Sequence, residues 1–218
     1  MISDRPGATP ITAARGCSIG RPSGLDRPSD CDSLAGDSTL RDTSKVAAAV
    51  AGVLIVATSL IALVVRVAFA AGARRWLAFG FAGLPARPAE AVGIFGHNIR
   101  ALLAVAGLLL VAQASYWGGE QQSGRACRLV RGAGEVLLAA AILANVAVVG
   151  AGVGAYGARM IRAALPHGPV ELGAFSLALG LYIKGRHQPI PVGLIVVIAI
   201  LNVAGLAIAA LLEVYVTV

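Results

Sequence analysis

His167 and Glu171 stand four residues apart in the run Leu165-Pro166-His167-Gly168-Pro169-Val170-Glu171, between two apolar stretches rich in glycine and alanine. On a helix that spacing puts an imidazole and a carboxylate on one face. There they could ligate a metal ion or work as an acid/base pair. Either chemistry needs further groups, and the chain has only two other histidines, His97 and His187, with no second carboxylate beside them. The same run also reads as a helix start, with Pro169 at the first helical position, Glu171 at the third, and Pro166 and His167 in the turn before Gly168. Gly150–Gly157 follows no strand and meets no Lys-Ser/Thr pair, so it is not a phosphate-binding loop. The expectation is a chain with no catalysis, no cofactor and no metal of its own.

The elements around this run belong to a membrane protein. Of 218 residues 57% are hydrophobic and 13% charged, with a mean hydropathy of +0.80. Soluble domains carry about 25% charged residues. The formal charge of +7 is not spread over the chain. Residues 1–45 balance six basic residues against six aspartates, whereas the remainder sets twelve Lys/Arg against five glutamates. No basic patch interleaved with aromatics is present, so no nucleic-acid partner is expected. Cys17, Cys31 and Cys127 form no CxxC pair, and neither a lipoprotein cleavage site nor a signal-peptide core is found.

The fold class expected is all-α: a polytopic transmembrane bundle of about five helices, one short or re-entrant, behind a disordered N-terminal tail over residues 1–45. The helical domain is 46–218, with helices at about 46–66, 98–117, 135–158, 169–183 and 190–213. Four segments are long enough to cross the hydrocarbon core, which takes about 17–25 apolar residues. The fifth, Leu172–Ile183, covers about 18 Å at a rise of 1.5 Å per residue, against a core of ~30 Å. With the N-terminus inside, five spans place Arg125, Arg128, Arg131, Lys184 and Arg186 on the inner side. Four spans would move the last two outside, so the positive-inside rule favours five spans and a cytoplasmic N-terminus.

Parity then groups the polar residues. The end of the first segment (Arg66), the start of the second (His97, Asn98, Arg100) and the end of the third through Glu171 fall on one side. An ion pair of Glu171 with Arg100 or Arg66 is the natural expectation, because an unpaired carboxylate in lipid is costly. Gly150 and Gly154 form a small-xxx-small face, suited to packing within the bundle or to homodimerisation. Asn145 and Asn202 lie near mid-membrane, as helix-packing hydrogen-bond partners or as pathway residues.

The stretch Ala164–Ala174, with Pro166-His167-Gly168, two residues, then Glu171 and a small-residue helix, resembles the signature of the stage II sporulation protein M family of integral membrane proteins. His97-Asn98-Ile99-Arg100-Ala101 is similar to the family's Asn-rich helix start, and Asn145–Gly157 to its Asn-then-glycine helix. The likeness covers roughly residues 95–185. It departs at His97, where a second Asn is common, at Val146, where Gly usually follows the Asn, and at Pro169, where a large apolar residue is usual. The resemblance implies a multi-pass protein of the bacterial cell membrane that acts as a scaffold for cell-wall-remodelling enzymes. Its partners would be the bilayer, other membrane or cell-wall-associated proteins, and possible further copies of itself. The alternative is a small-solute transporter or channel subunit with Glu171 in the pathway.

Overall fold

The computed structural model describes residues 29–79, 87–117 and 125–216. These form helices α1 (Ser29–Val64), α2 (Ala70–Leu77), α3 (Pro88–Trp117), α4 (Arg125–Tyr156), α5 (Ala158–Ala164), α6 (Gly168–Gly185) and α7 (Val192–Tyr215), with one π-helical turn, Val65–Phe69, joining α1 to α2. No strand occurs among the described residues. The protein is an all-α bundle. Four of its helices are long and apolar enough to cross a membrane, within Thr39–Leu77, Pro88–Ala114, Arg128–Tyr156 and Val192–Tyr215.

Those four helices turn their large apolar side chains outward. Val53, Leu60, Leu103, Leu137, Leu143 and Ile200 are all more than half exposed. In water such a surface would drive association; against lipid tails it costs nothing. The helix with the largest buried share is instead α6, where Ala174, Ser176, Leu179, Gly180, Leu181 and Tyr182 are among the buried residues. It packs against α1, α3 and α7, and its Tyr182 reaches α4.

Helix α6 runs from one end of the bundle to the other. Its first turn meets Asn98 near the start of α3, and its last residue meets Gln113 near the end of α3. The end where α1 begins is termed proximal and the opposite end distal. Helix α6 therefore traverses the bundle and does not turn back. Its 18 residues cover about 27 Å, longer than the apolar core that hydropathy alone marks out.

The other boundaries shift for a similar reason. Helices α3 and α4 begin at Pro88 and Arg125, well before 98 and 135, because the hydrogen-bond ladder continues through polar residues at the membrane margin. The tail expected through residue 45 is helical from Ser29 onward. There Thr43 Oγ1 donates to Thr39 O at 2.8 Å, and Lys45 pairs with Asp42 at 3.5 Å, one turn apart. Residues 1–28 and the cysteine at 17 lie outside the described residues.

The glycine faces are used inside the chain. A Cβ on Gly154 would stand 2.5 Å from Ala62 O, and one on Gly150 2.8 Å from Ile61 Cβ, so α4 and α1 meet at backbone distance. On α6 a Cβ at Gly180 would stand 2.9 Å from Ala47 N. Small residues at such crossings let backbones approach where a larger side chain would hold them apart. Of the two mid-membrane asparagines, Asn202 is buried at 2% exposure, but its Oδ1 has no hydrogen-bond partner among the described residues, so the expected hydrogen bond of that oxygen is not formed. Asn145 is not a packing residue: it is exposed on α4 and its Nδ2 returns to Ala141 O of its own helix at 3.3 Å.

Candidate functional site

The distal end holds an open cleft of about 470 Å³ walled by Glu90, Gly93, Ile94, His97 and Asn98 of α3, His167 and Glu171 at the head of α6, and Glu213 near the end of α7. Local sequence explains how α6 arrives there. Gly157, at φ +59°, breaks α4 and turns the chain into α5. After the turn Leu165–His167 the N–H groups of Val170 and Glu171 both donate to His167 O, at 3.0 and 3.1 Å, and Pro169 occupies the first turn. The run starts a helix as expected, but one residue earlier: His167 precedes the helix, Gly168 is its first residue, Pro169 the second and Glu171 the fourth.

At the centre of the cleft Asn98 Nδ2 donates to Glu171 Oε1 at 2.5 Å. That bond ties α3 to α6 and gives the carboxylate its hydrogen-bond donor among the described residues. His97, His167 and Glu213 complete its electrostatic surroundings. The Nδ1 of His167 is buried and has no hydrogen-bond partner among the described residues.

Parity brought the right segments together, but the expected ion pair is not formed. Among the described residues Glu171 pairs with neither Arg100 nor Arg66. The cleft residues of α3 fall at 90, 93, 94, 97 and 98, a stripe at the helical period. Arg100 lies off that stripe and is exposed. Arg66 sits in the π-helical turn and lies against the α4–α5 break, where a Cβ on Gly157 would be 3.0 Å from its Nη1. An amide one helical face away thus replaces a cation. Pro166 and Gly168 take part only through the turn.

Two cleft residues, Glu90 and Glu213, were not singled out in the sequence. The helical stripe through His97 and Asn98 would have reached Glu90, and a five-span order would have put Glu213 on the side of Glu171. With both, three carboxylates and two imidazoles line one cleft. Even so, no three His, Cys, Asp or Glu among the described residues are disposed to hold a metal ion.

A second polar centre, at the proximal end, escaped the sequence reading altogether. Gln113, fully buried on α3, donates from Nε2 to Gly185 O at 2.6 Å and Gln188 O at 3.1 Å, and its Oε1 accepts from Ile190 N at 2.9 Å. It thereby satisfies backbone groups left over where α6 ends and α7 has not begun. Beside it Tyr182 donates its hydroxyl to Glu135 Oε1 at 2.8 Å, and Lys184 Nζ donates to Thr39 O at 3.2 Å. The signal was a single amide within the apolar run of α3.

At the distal margin Arg74 Nε donates to Ala155 O at 2.7 Å, and Tyr156, whose hydroxyl donates to Arg74 O at 3.2 Å, stacks edge-on against Phe79. These contacts lock α2 onto the end of α4 and take up a carbonyl freed by the Gly157 break. No family model, curated protein or solved structure matches the chain.

Proposed function

We propose that the chain is a multispanning membrane scaffold that assembles other membrane or cell-wall-associated proteins, with no catalysis of its own. The observation that carries this reading is the convergence of Asn98, His167 and Glu171 on the wall of one open distal cleft. These are residues on which the resemblance to the sporulation protein M family rests, and they join α3 to α6 while leaving a polar surface facing outward. A partner's polar loop fits such a rim. The small-residue faces are spent within the bundle, so assembly through them is not needed. With a cytoplasmic N-terminus in a bacterial plasma membrane, the distal cleft opens on the outer side, where cell-wall-associated partners lie.

Co-purification from membranes tests the reading. Glu171→Gln keeps an oxygen for the Asn98 amide, so the fold is expected to survive while partner recovery falls several-fold. Equal recovery of partners by both proteins would overturn it. A second reading, solute transport with Glu171 in the pathway, is favoured by the cleft volume and its three carboxylates. That reading expects cation flux in liposomes that Glu171→Gln abolishes.

A further inference from the structure

At the proximal end α1 and α4 splay apart. They touch through Gly150 and Gly154 against Thr58, Ile61 and Ala62, but closer to the start of α1 a trough of about 450 Å³ opens between them. Its walls are Val46, Val50 and Leu54 of α1 and Leu138 and Ile142 of α4, and its floor is Leu179 of α6. The lining is almost wholly apolar until the proximal mouth, where Glu135, Tyr182 and Arg186 line it and Arg131 stands one turn before Glu135.

The mouth has unspent positive charge. Lys45, Arg131, Lys184 and Arg186 gather there against Asp42 and Glu135. Arg186 Nη1 and Arg131 Nε lie 3.8 and 4.0 Å from Glu135 Oε1, beyond hydrogen-bond reach, and neither guanidinium donates a hydrogen bond among the described residues. Glu135 takes its hydrogen bond from Tyr182. Both guanidinium groups therefore face one oxygen of Glu135, and the four cations of the mouth outnumber its two carboxylates, so their remaining N–H donors at the membrane margin suit the oxygens of a phosphate.

The depth of the trough fits a lipid. From Val46 to Leu54 it runs about 12 Å along α1, at 1.5 Å per residue. That is within one leaflet of a ~30 Å core. A transmembrane partner helix would need an apolar face through both leaflets, and the glycine contact of α1 with α4 closes this one. Basic pockets between transmembrane helices are known to take anionic headgroups. We propose that the trough binds one anionic glycerophospholipid, its phosphate on Arg186 at the mouth with Arg131 close by, and an acyl chain lying along α1 and α4 on the floor of α6.

The test uses the full chain in detergent, with bound lipid counted by native mass spectrometry and affinity read from the rise in Tm on titration. Phosphatidylglycerol is expected to be retained at one per chain and to bind far more tightly than phosphatidylcholine of the same acyl chains. Arg131→Gln and Arg186→Gln should each weaken it roughly fivefold, and the pair about thirtyfold. Ala139→Phe, at an exposed position on the wall, fills the trough and should remove the bound lipid with both arginines in place. Should the double arginine variant fail to fold, Ala139→Phe decides alone. Equal retention of phosphatidylcholine, unchanged binding in the folded variants, or the same rise in Tm from soluble glycerol 3-phosphate would each overturn the proposal.

Discussion

Asn98 sets the polarity of the distal cleft, because its amide is what stabilises Glu171 where arginine was expected. A hydrogen bond to a charged group contributes about 1.5–3 kcal/mol. Asn98→Ala should therefore lower stability by about that much in thermal unfolding in micelles. Asn98→Asp should cost more, since it turns the donor into a second carboxylate facing the first. Glu171→Gln should cost far less than either. If it costs as much as Asn98→Ala, the charge and not the bond holds the two helices. Gln113 gives the parallel case at the proximal end. Gln113→Leu fits the site by size but strands two carbonyls and an N–H of the α6–α7 turn. A buried unpaired group costs about 1–3 kcal/mol, so a loss of at least ~2 kcal/mol is expected, together with faster proteolysis at residues 186–191.

At the scale of helices, stability rests on where backbones touch. Gly180→Val would drive a side chain into the backbone of α1 at Ala47, and overpacking of this kind typically costs about 1–3 kcal/mol. Gly173→Ala on the same helix meets nothing within 4 Å and gains helix propensity, so it should be neutral or stabilising. Unfolding midpoints of the two variants, measured side by side, check this; equal midpoints would mean that α6 does not pack closely on α1. The glycine spacing that marks such contacts was plain in the sequence, as were four long apolar segments and the turn into α6. Their ends were less plain. Hydropathy reports where lipid would lie, whereas a helix ends where its hydrogen bonds run out, and so α1, α3 and α4 extend past their apolar runs. Asn145 shows the limit in another way. A polar residue at mid-segment does not reveal which way its helix faces, and that is set by packing among helices distant in sequence.

For the whole molecule, the decisive quantity is the number of crossings. Parity read from the segment order placed Glu171 with His97 and Asn98, and the cleft bears that grouping out. The pairing inside the group was out of reach of sequence, because charge complementarity favoured arginine and only the helical stripe through 90, 94, 97 and 98 favours the amide. The same parity makes a claim about the termini. Helix α6 joins the distal cleft to the proximal clamp at Gln113, so α1 begins at one end of the bundle and α7 finishes at the other. If all five helices cross the bilayer, residues before α1 and residues after Tyr215 lie on opposite sides. The proximal end carries Lys45, Arg128, Arg131, Lys184 and Arg186, and the distal end Arg66, Arg74, Arg75, Arg87, Arg100, Arg159 and Arg162, so the loop arginines alone do not orient the bundle; with the cytoplasmic N-terminus proposed above, the proximal end would face the cytoplasm. In intact cells a cysteine placed at exposed Val216, in a chain with Cys17, Cys31 and Cys127 replaced by serine, should react with a membrane-impermeant maleimide. A cysteine at exposed His187, in the α6–α7 turn, should stay unlabelled until the cells are permeabilised. Labelling of His187 and not of Val216 from outside would mean that α6 lies in the bundle without crossing the bilayer or that the bundle is inverted; a cysteine at exposed Lys45, labelled from outside only in an inverted bundle, separates the two.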